Sequence, residues 1–231
     1  MRSSIAAAAA ILMAVAGVAS ADILWDQSAI DVSPTGVGMP NSVSGGFNGW
    51  IAFGVSDVTV PASGWTIQSI TTYFSALSWN QGDVTQAVLN VFPKTGGAPV
   101  PGNDPRATPT GSGTLVGVSQ TGASAGGNGV WEIMASGLSI ALAPGDYWVG
   151  LTPVGPAGPF GPDMQWSTPT RIGAGQQMRL FGPDSGWLDV GATYGVPAVD
   201  GAILIQGAVP APASLALLGL GGLLAGRRRR A

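Results

Sequence analysis

The chain has 231 residues, of which 45% are hydrophobic and only 9% charged, against about 25% charged in an ordinary soluble domain, so its surface falls to Ser, Thr, Gly, Asn and Gln. Cys and His are both absent, which excludes disulfides, thiolate metal sites, cysteine nucleophiles and the commonest general base. The net charge of −3 hides an asymmetry, because residues 22–209 hold all 12 acidic groups but only Lys94, Arg106, Arg171 and Arg179 as bases. That leaves −8 on this part, a field that disfavours nucleic acid and anionic membrane surfaces.

In chain order, residues 1–21 read as a secretory signal peptide. Arg2 opens it, an apolar run spans residues 5–18, and Ala19, Ser20 and Ala21 precede Asp22. This is a basic start, a short hydrophobic helix and small residues where a signal peptidase cuts. Fourteen residues of helix reach only about 21 Å, short of the ~30 Å hydrocarbon core. The mature chain is therefore expected to begin at Asp22.

From there the periodicity is that of strands. Residues 65–74 (WTIQSITTYF) change phase between Ile67 and Ile70, as a bulge or a strand buried on both faces would. In residues 86–92, Ala87, Leu89 and Val91 alternate with Val88, Asn90 and Phe92. In 129–134, Trp131 and Ile133 stand opposite Val130, Glu132 and Met134. Residues 138–142 form a short strand ended by the Pro144-Gly145 turn. In 146–152, Tyr147, Val149 and Leu151 share one side, and 202–208 read as the closing strand. The Gly- and Pro-rich stretches 93–113, 122–129 and 155–162 read as loops. Outside the ends no window keeps helical spacing. The predicted fold class is all-β, an antiparallel β-sandwich of jelly-roll type, with a signal helix before it and a short hydrophobic helix after it.

Past residue 208 the composition changes. Val209, Pro210, Ala211 and Pro212 break the strand, residues 213–226 are apolar, and Arg227, Arg228, Arg229 and Arg230 follow. Clustered arginines stay cytoplasmic and orient the body outward. This three-part tail resembles the PEP-CTERM sorting signal of Gram-negative bacteria, with Ala211 where the family pattern has Glu. Such tails also carry the label "ice-binding protein C-terminal", which names an address and not an activity. The resemblance implies recognition by an exosortase, export, transient anchoring in the inner membrane through the C-terminal helix, and a place at the cell surface or in an extracellular matrix or biofilm. The segments GWTIQSITTYF, AVLNVFPKTGGAPVPG and ASGLSIALAPGDYWVGLTP are similar, in that order, to β-sandwich ectodomains of PEP-CTERM proteins. The implied organisation is a signal peptide over 1–21, an ectodomain over 22–208 and a sorting tail over 209–231.

Catalytic chemistry finds little support. A glycosidase needs two carboxylates about 5 to 9.5 Å apart; Glu132 is the only Glu, with Asp57, Asp83, Asp146, Asp163 and Asp189 as candidate partners. No G-x-S-x-G elbow occurs, and the Gly-rich stretches lack the Lys of a phosphate loop. The chain reads as non-enzymatic and without a cofactor. Calcium is the metal its oxygen ligands suit, at Asn80 to Asp83, Asn103-Asp104, Asp184 to Gly186, or near Asp26 and Asp31, although Asn, Asp and Gly serve turns in the same way. All eight Trp lie in residues 22–208. Trp131 and Trp148 sit in apolar strands and are expected in the core, whereas Trp79 and Trp187, near turns, are candidates for stacking on sugar rings. The main expectation is an exported matrix or surface protein whose partners are signal peptidase, exosortase and extracellular polysaccharide. The alternative is a carbohydrate-binding module using Trp79 and Trp187.

Overall fold

The computed structural model describes residues 21–33, 36, 38–44, 51–75, 84, 86–94, 112–125, 127–155, 164–169, 177–180, 187–195 and 200–210. The strands are β1 (Asp22–Gln27), β2 (Gly38–Pro40), β3 (Ser42–Ser44), β4 (Ile51–Val60), β5 (Trp65–Ser75), β6 (Gln86–Pro93), β7 (Ser112–Ala125), β8 (Asn128–Ala135), β9 (Ile140–Leu142), β10 (Gly145–Gly155), β11 (Met164–Thr168), β12 (Gln177–Leu180), β13 (Leu188–Asp189), β14 (Asp200–Gly201) and β15 (Ile203–Ala208). Among the described residues the one helix is α1 (Val190–Tyr194). The expected terminal helices lie outside the described residues.

The fold is all-β, antiparallel and sandwich-like. In the first layer the order is β1, β15, β5, β8, β7; β9 also pairs with β5, as does β11, which carries β2 and β14. The second layer runs β6, β10, β4, β12, β13, with β3 against β10 and β4. Strand β7 turns the corner between them. Its residues Ser112 to Thr114 pair with β6, and from Leu115 onward it pairs with β8. One contact departs from the antiparallel expectation: β3 lies parallel to β10 through Val43↔Val154 and Ser44↔Gly155.

Alternation along the strands builds the core. Ile67, Ile70, Phe74, Ile133, Ile203 and Ile205 of the first layer meet Val58, Val60, Leu89, Val91, Val149 and Leu151 of the second, all buried. Burying each such side chain fully contributes roughly 1.5–3 kcal/mol. The phase change in β5 is a bulge. Ser69 pairs with Gln206 and Ile67 with Gly207, so Gln68 has no opposite residue, and both Ile67 and Ile70 point inward. The glycine opposite this bulge is required, since a Cβ at Gly207 would run into the Thr66 carbonyl. The 122–129 stretch, expected as a loop, is instead the β7–β8 hairpin, with Ser124 opposite Gly129 and Ala125 opposite Asn128. Gly122 and Gly127, at φ of 79° and 80°, supply backbone conformations that other residues resist, which is the reason the segment looked like loop. Most of the expected loops 93–113 and 155–162 lies outside the described residues, but β7 begins inside the first, at Ser112.

The layers are also tied by buried polar groups. Asn41 sits where the chain crosses from β2 in the first layer to β3 in the second. Its Nδ2 donates to the Leu151 carbonyl at 3.1 Å and to Gln165 Oε1 at 2.7 Å. Its Oδ1 accepts from Gly54 N at 3.0 Å and Thr152 Oγ1 at 2.6 Å. Gln165 Nε2 donates onward to the Ala202 carbonyl at 3.3 Å, and Asn90 Nδ2 donates to Thr152 Oγ1 at 3.2 Å. Asn41 is completely buried, so these bonds replace those it would make to water.

Candidate functional site

The first candidate region is the corner where the described chain begins and ends. Ala21 is half-buried and Asp22 opens β1, exposed, directly opposite Gly207 of β15. Strand β15 stops at Ala208, and Val209 follows at 46% exposed with Pro210 exposed beside it. Strand β1 is firmly held: Leu24 and Trp25 pack on the core, with Trp25 tilted 60° to Trp65 at 6.4 Å. Gln27, buried, donates to Asp200 Oδ2 at 3.0 Å and accepts from Trp25 Nε1 at 2.7 Å. Of the expected processing residues, Ala19, Ala211, Pro212 and Arg227 to Arg230 lie outside the described residues.

The second region is the outer face of the second layer. Alternation along β10 turns Trp148 away from the core, opposite Asp57 of β4 and Phe92 of β6. Trp148 is buried, as expected, but not between the layers; it forms a separate cluster with Val55 and Phe92. Trp187 covers this cluster, meeting Phe92 edge-on at 6.1 Å and 67°. Lys94, the only lysine of the chain, lies 4.9 Å from the Trp148 ring centroid and 2.6 Å from Asp57 Oδ2. Helix α1 follows β13, with Asp189 Oδ1 accepting from Ala192 N at 2.7 Å and Gly195 closing the C-terminus in the left-handed conformation. Trp187 keeps part of its ring in solvent; Trp79 lies outside the described residues.

The third region is the outer face of the first layer. Glu132 stands across from Tyr73 and Ser119. Nearby, Ala125, Val130 and Trp166 form a cluster with Ile30 and Tyr73. The segment before β2 is fixed over it by Trp166 Nε1 donating to the Asp31 carbonyl at 2.5 Å and Asp31 N to the Ser167 carbonyl at 2.8 Å. Hydrogen bonds to Asp26 from Ser28 Oγ at 2.6 Å and Ser28 N at 3.0 Å hold that carboxyl below the usual range. Burial pushes the Tyr73 phenol above its ordinary value, and the charge of Glu132, then of Asp26, adds to the rise against a hydrogen bond with Ser28. With the folded pKa above the unfolded one, the stability Tyr73 contributes is complete below the unfolded pKa of about 10 and is lost as pH rises through the folded value. Glu132→Gln is expected to lower the Tyr73 titration midpoint and shrink the alkaline loss of stability. Ultraviolet titration of tyrosinate, with Tyr73→Phe as the blank, checks this; an unmoved midpoint removes Glu132 as a cause.

The chain matches no family model, no curated protein and no solved structure.

The candidate carboxylate pairs are not brought together. Glu132 projects from the outer face of the first layer, whereas Asp57 and Asp146 project from the outer face of the second, with sheets about 10 Å apart between them. Asp146 accepts a hydrogen bond from Thr59 Oγ1 at 2.7 Å. Asp189 caps α1, and Asp83 and Asp163 lie outside the described residues, as do the turns at 80–83, 103–104 and 184–186. Asp31 Oδ1 accepts from Ser33 N at 2.9 Å in a local turn. Among the described residues no three acidic side chains gather, and no helix is long and apolar enough to cross a membrane; the two apolar runs lie beyond them. The Asn41–Gln165 network was missed in the sequence, where Pro40-Asn41-Ser42 has the composition of a turn.

Proposed function

We propose that the protein is exported, carried to the cell envelope by its signal segment, and sorted through its PEP-CTERM-like tail by an exosortase. It then serves as a non-enzymatic surface or matrix component. The observation that carries this reading is the order of residues after β15: Val209 to Pro212, fourteen apolar residues over 213–226, and Arg227 to Arg230. The location of Val209 and Pro210 supports it. The domain's last strand ends at Ala208, and the motif starts on the next, exposed residue, where a protease can take hold of extended chain. Within this reading the domain is a jelly-roll-type sandwich, an assignment supported by the crossings between layers at β2–β3, β4–β5, β5–β6, β9–β10, β10–β11, β11–β12 and β13–β14.

The alternative is a carbohydrate-binding module, favoured by the partly exposed Trp187 ring on the outer face of the second layer. Extracellular polysaccharide is the ligand class in that case.

Intact-mass spectrometry of the protein from its native cells, against a variant lacking residues 227–230, tests the main reading. The expected result is loss of residues 1–21 and of the tail in the wild type, with the tail kept in the variant. A wild-type mass that retains the tail removes exosortase processing and leaves a simple anchor.

A further inference from the structure

The register of β1 and β15 has a consequence for how the unprocessed protein meets the membrane. Asp22 and Gly207 are paired across the sheet, which places their Cα atoms about 4.5–5.5 Å apart. The apolar segment before residue 22 and the apolar segment after residue 212 therefore leave the domain from one corner. Their charges agree with this: Arg2 lies at the far end of the first segment and Arg227 to Arg230 at the far end of the second, so basic ends retained in the cytoplasm hold the domain outside with both segments side by side.

The surface around this corner has the matching character. Strand β15 ends opposite Thr66, next to the turn joining β4 to β5, which is closed by Gly64 N donating to the Pro61 carbonyl at 2.9 Å. Strand β9 ends beside it, with Leu142 opposite Trp65. The turn from β9 to β10 arrives at the same level, where Gly145 pairs with Val60. Pro61, Ala62, Ala143 and Pro144 are all exposed here. So are Ile23, at 61%, and Val209, at 46%, two of the four large hydrophobic side chains exposed among the described residues. Among the described residues the charged side chains at this end are Asp22, Asp146 and Lys94, the last bound to Asp57 at 2.6 Å. A domain of charge −8 is repelled by an anionic leaflet on most of its surface, and this end presents apolar turns instead.

We infer that this end of the sandwich, centred on Ile23, Val209 and the 61–64 and 142–145 turns, is the pole that rests on the lipid bilayer before processing, with the two apolar segments entering the membrane next to each other. The inference rests on the export-and-tail reading above and adds an orientation to it. It also places both cleavage points on the membrane-facing pole, within reach of membrane-embedded proteases. Once the signal segment is cut, β1 stays zipped to β15, so the new N-terminus remains beside the tail.

The chain has no cysteine, so single-cysteine variants report one position each. Ile23→Cys and Ser63→Cys mark the pole. Asn128→Cys marks the β7–β8 hairpin, roughly 30 Å away along β5, taking about 3.3 Å per residue. The full chain, made in a host without the sorting protease, is reconstituted into phosphatidylethanolamine–phosphatidylglycerol vesicles, labelled with an environment-sensitive dye and exposed to headgroup spin-labelled lipid. The expected result is flotation with the vesicles and several-fold stronger quenching at positions 23 and 63 than at 128. Flotation with equal quenching at all three positions, or with none, overturns the orientation while leaving the tail's insertion standing. Failure to float overturns the anchoring reading itself.

Discussion

Trp148→Ala is expected to cost about 4 kcal/mol of stability, the scale of removing a large aromatic side chain from a fully buried site. Trp148 is 0% exposed, and its ring joins Phe92, Val55 and Trp187 on the outer face of the second layer while carrying the Lys94 ammonium at 4.9 Å. Deleting it opens a cavity that backbone-paired strands on both sides, β4 and β6, are not free to fill. Lys94 also loses the face of the indole, a contact of roughly 0.5–2 kcal/mol, although its ion pair with Asp57 remains. For a domain of this size each kcal/mol lowers the thermal midpoint by about 2–4 °C, so calorimetry should show a fall of about 8–16 °C. Trp148→Phe separates the terms. It keeps a ring under Lys94, and it surrenders no hydrogen bond, because Trp148 Nε1 has no hydrogen-bond partner among the described residues. Its loss should be clearly smaller. If the alanine variant loses under about 1 kcal/mol, outside the usual range for such truncations, this face is not packed as described.

Asn41→Leu is expected to cost about 3 kcal/mol, for a different reason. The replacement has nearly the same shape, so packing is little disturbed, but four groups lose their bond to Asn41 at once: the Leu151 carbonyl, Gln165 Oε1, Gly54 N and Thr152 Oγ1. A buried polar group left unsatisfied costs about 1–3 kcal/mol, and partial rearrangement keeps the total below the simple sum. Gly54 is part of the same design, since a Cβ there would lie 3.2 Å from both the Asn41 amide and Gln165 Oε1. Denaturant titration of Asn41→Leu, Gln165→Leu and the double variant provides the check. Because the two side chains share one bond, Asn41 Nδ2 to Gln165 Oε1, which either single change already removes, the double variant should lose less than the two singles together. Strict additivity would mean that the two amides do not act as one unit.

The strands legible in the sequence are those that carry a larger apolar side chain at successive alternate positions facing the core. Residues 86–92, 129–134 and 146–152 show their alternation openly, and Ala87, Leu89 and Val91, then Ile133, then Val149 and Leu151, all face the core. Strand β4 was not legible because its large apolar residues change face along it: Phe53 and Val55 lie on one side and Val58 and Val60 on the other, all buried, which erases period-two patterning. Strand β7 was not legible for a different reason. Its residues SGTLVGVSQTGASA are mostly small and polar, with weak intrinsic preference for extended structure. Its strand form comes from backbone pairing to β6 and β8. Trp148 was recognisable as buried, but which side buries it was not. That depended on β12 and β13 extending the second layer, and on Trp187 lying over Phe92, contacts nearly 40 residues away in the chain.

The amino-acid sequence by itself determined what is local or compositional: the all-β class, the facing of the amphipathic strands, and the two terminal segments whose apolar runs and basic ends are read by length and charge alone. The tertiary structure decided what depends on which distant segments meet. It placed Asn41 at the crossover between layers, set Trp148 under a cation instead of in the central core, and kept Glu132 apart from Asp57 and Asp146. It also joined the first strand to the last, so that the two ends of the domain share one corner. Hydrophobic periodicity records how a residue relates to its own strand, whereas strand partners are chosen by long-range pairing and packing that leave no periodic trace in the chain.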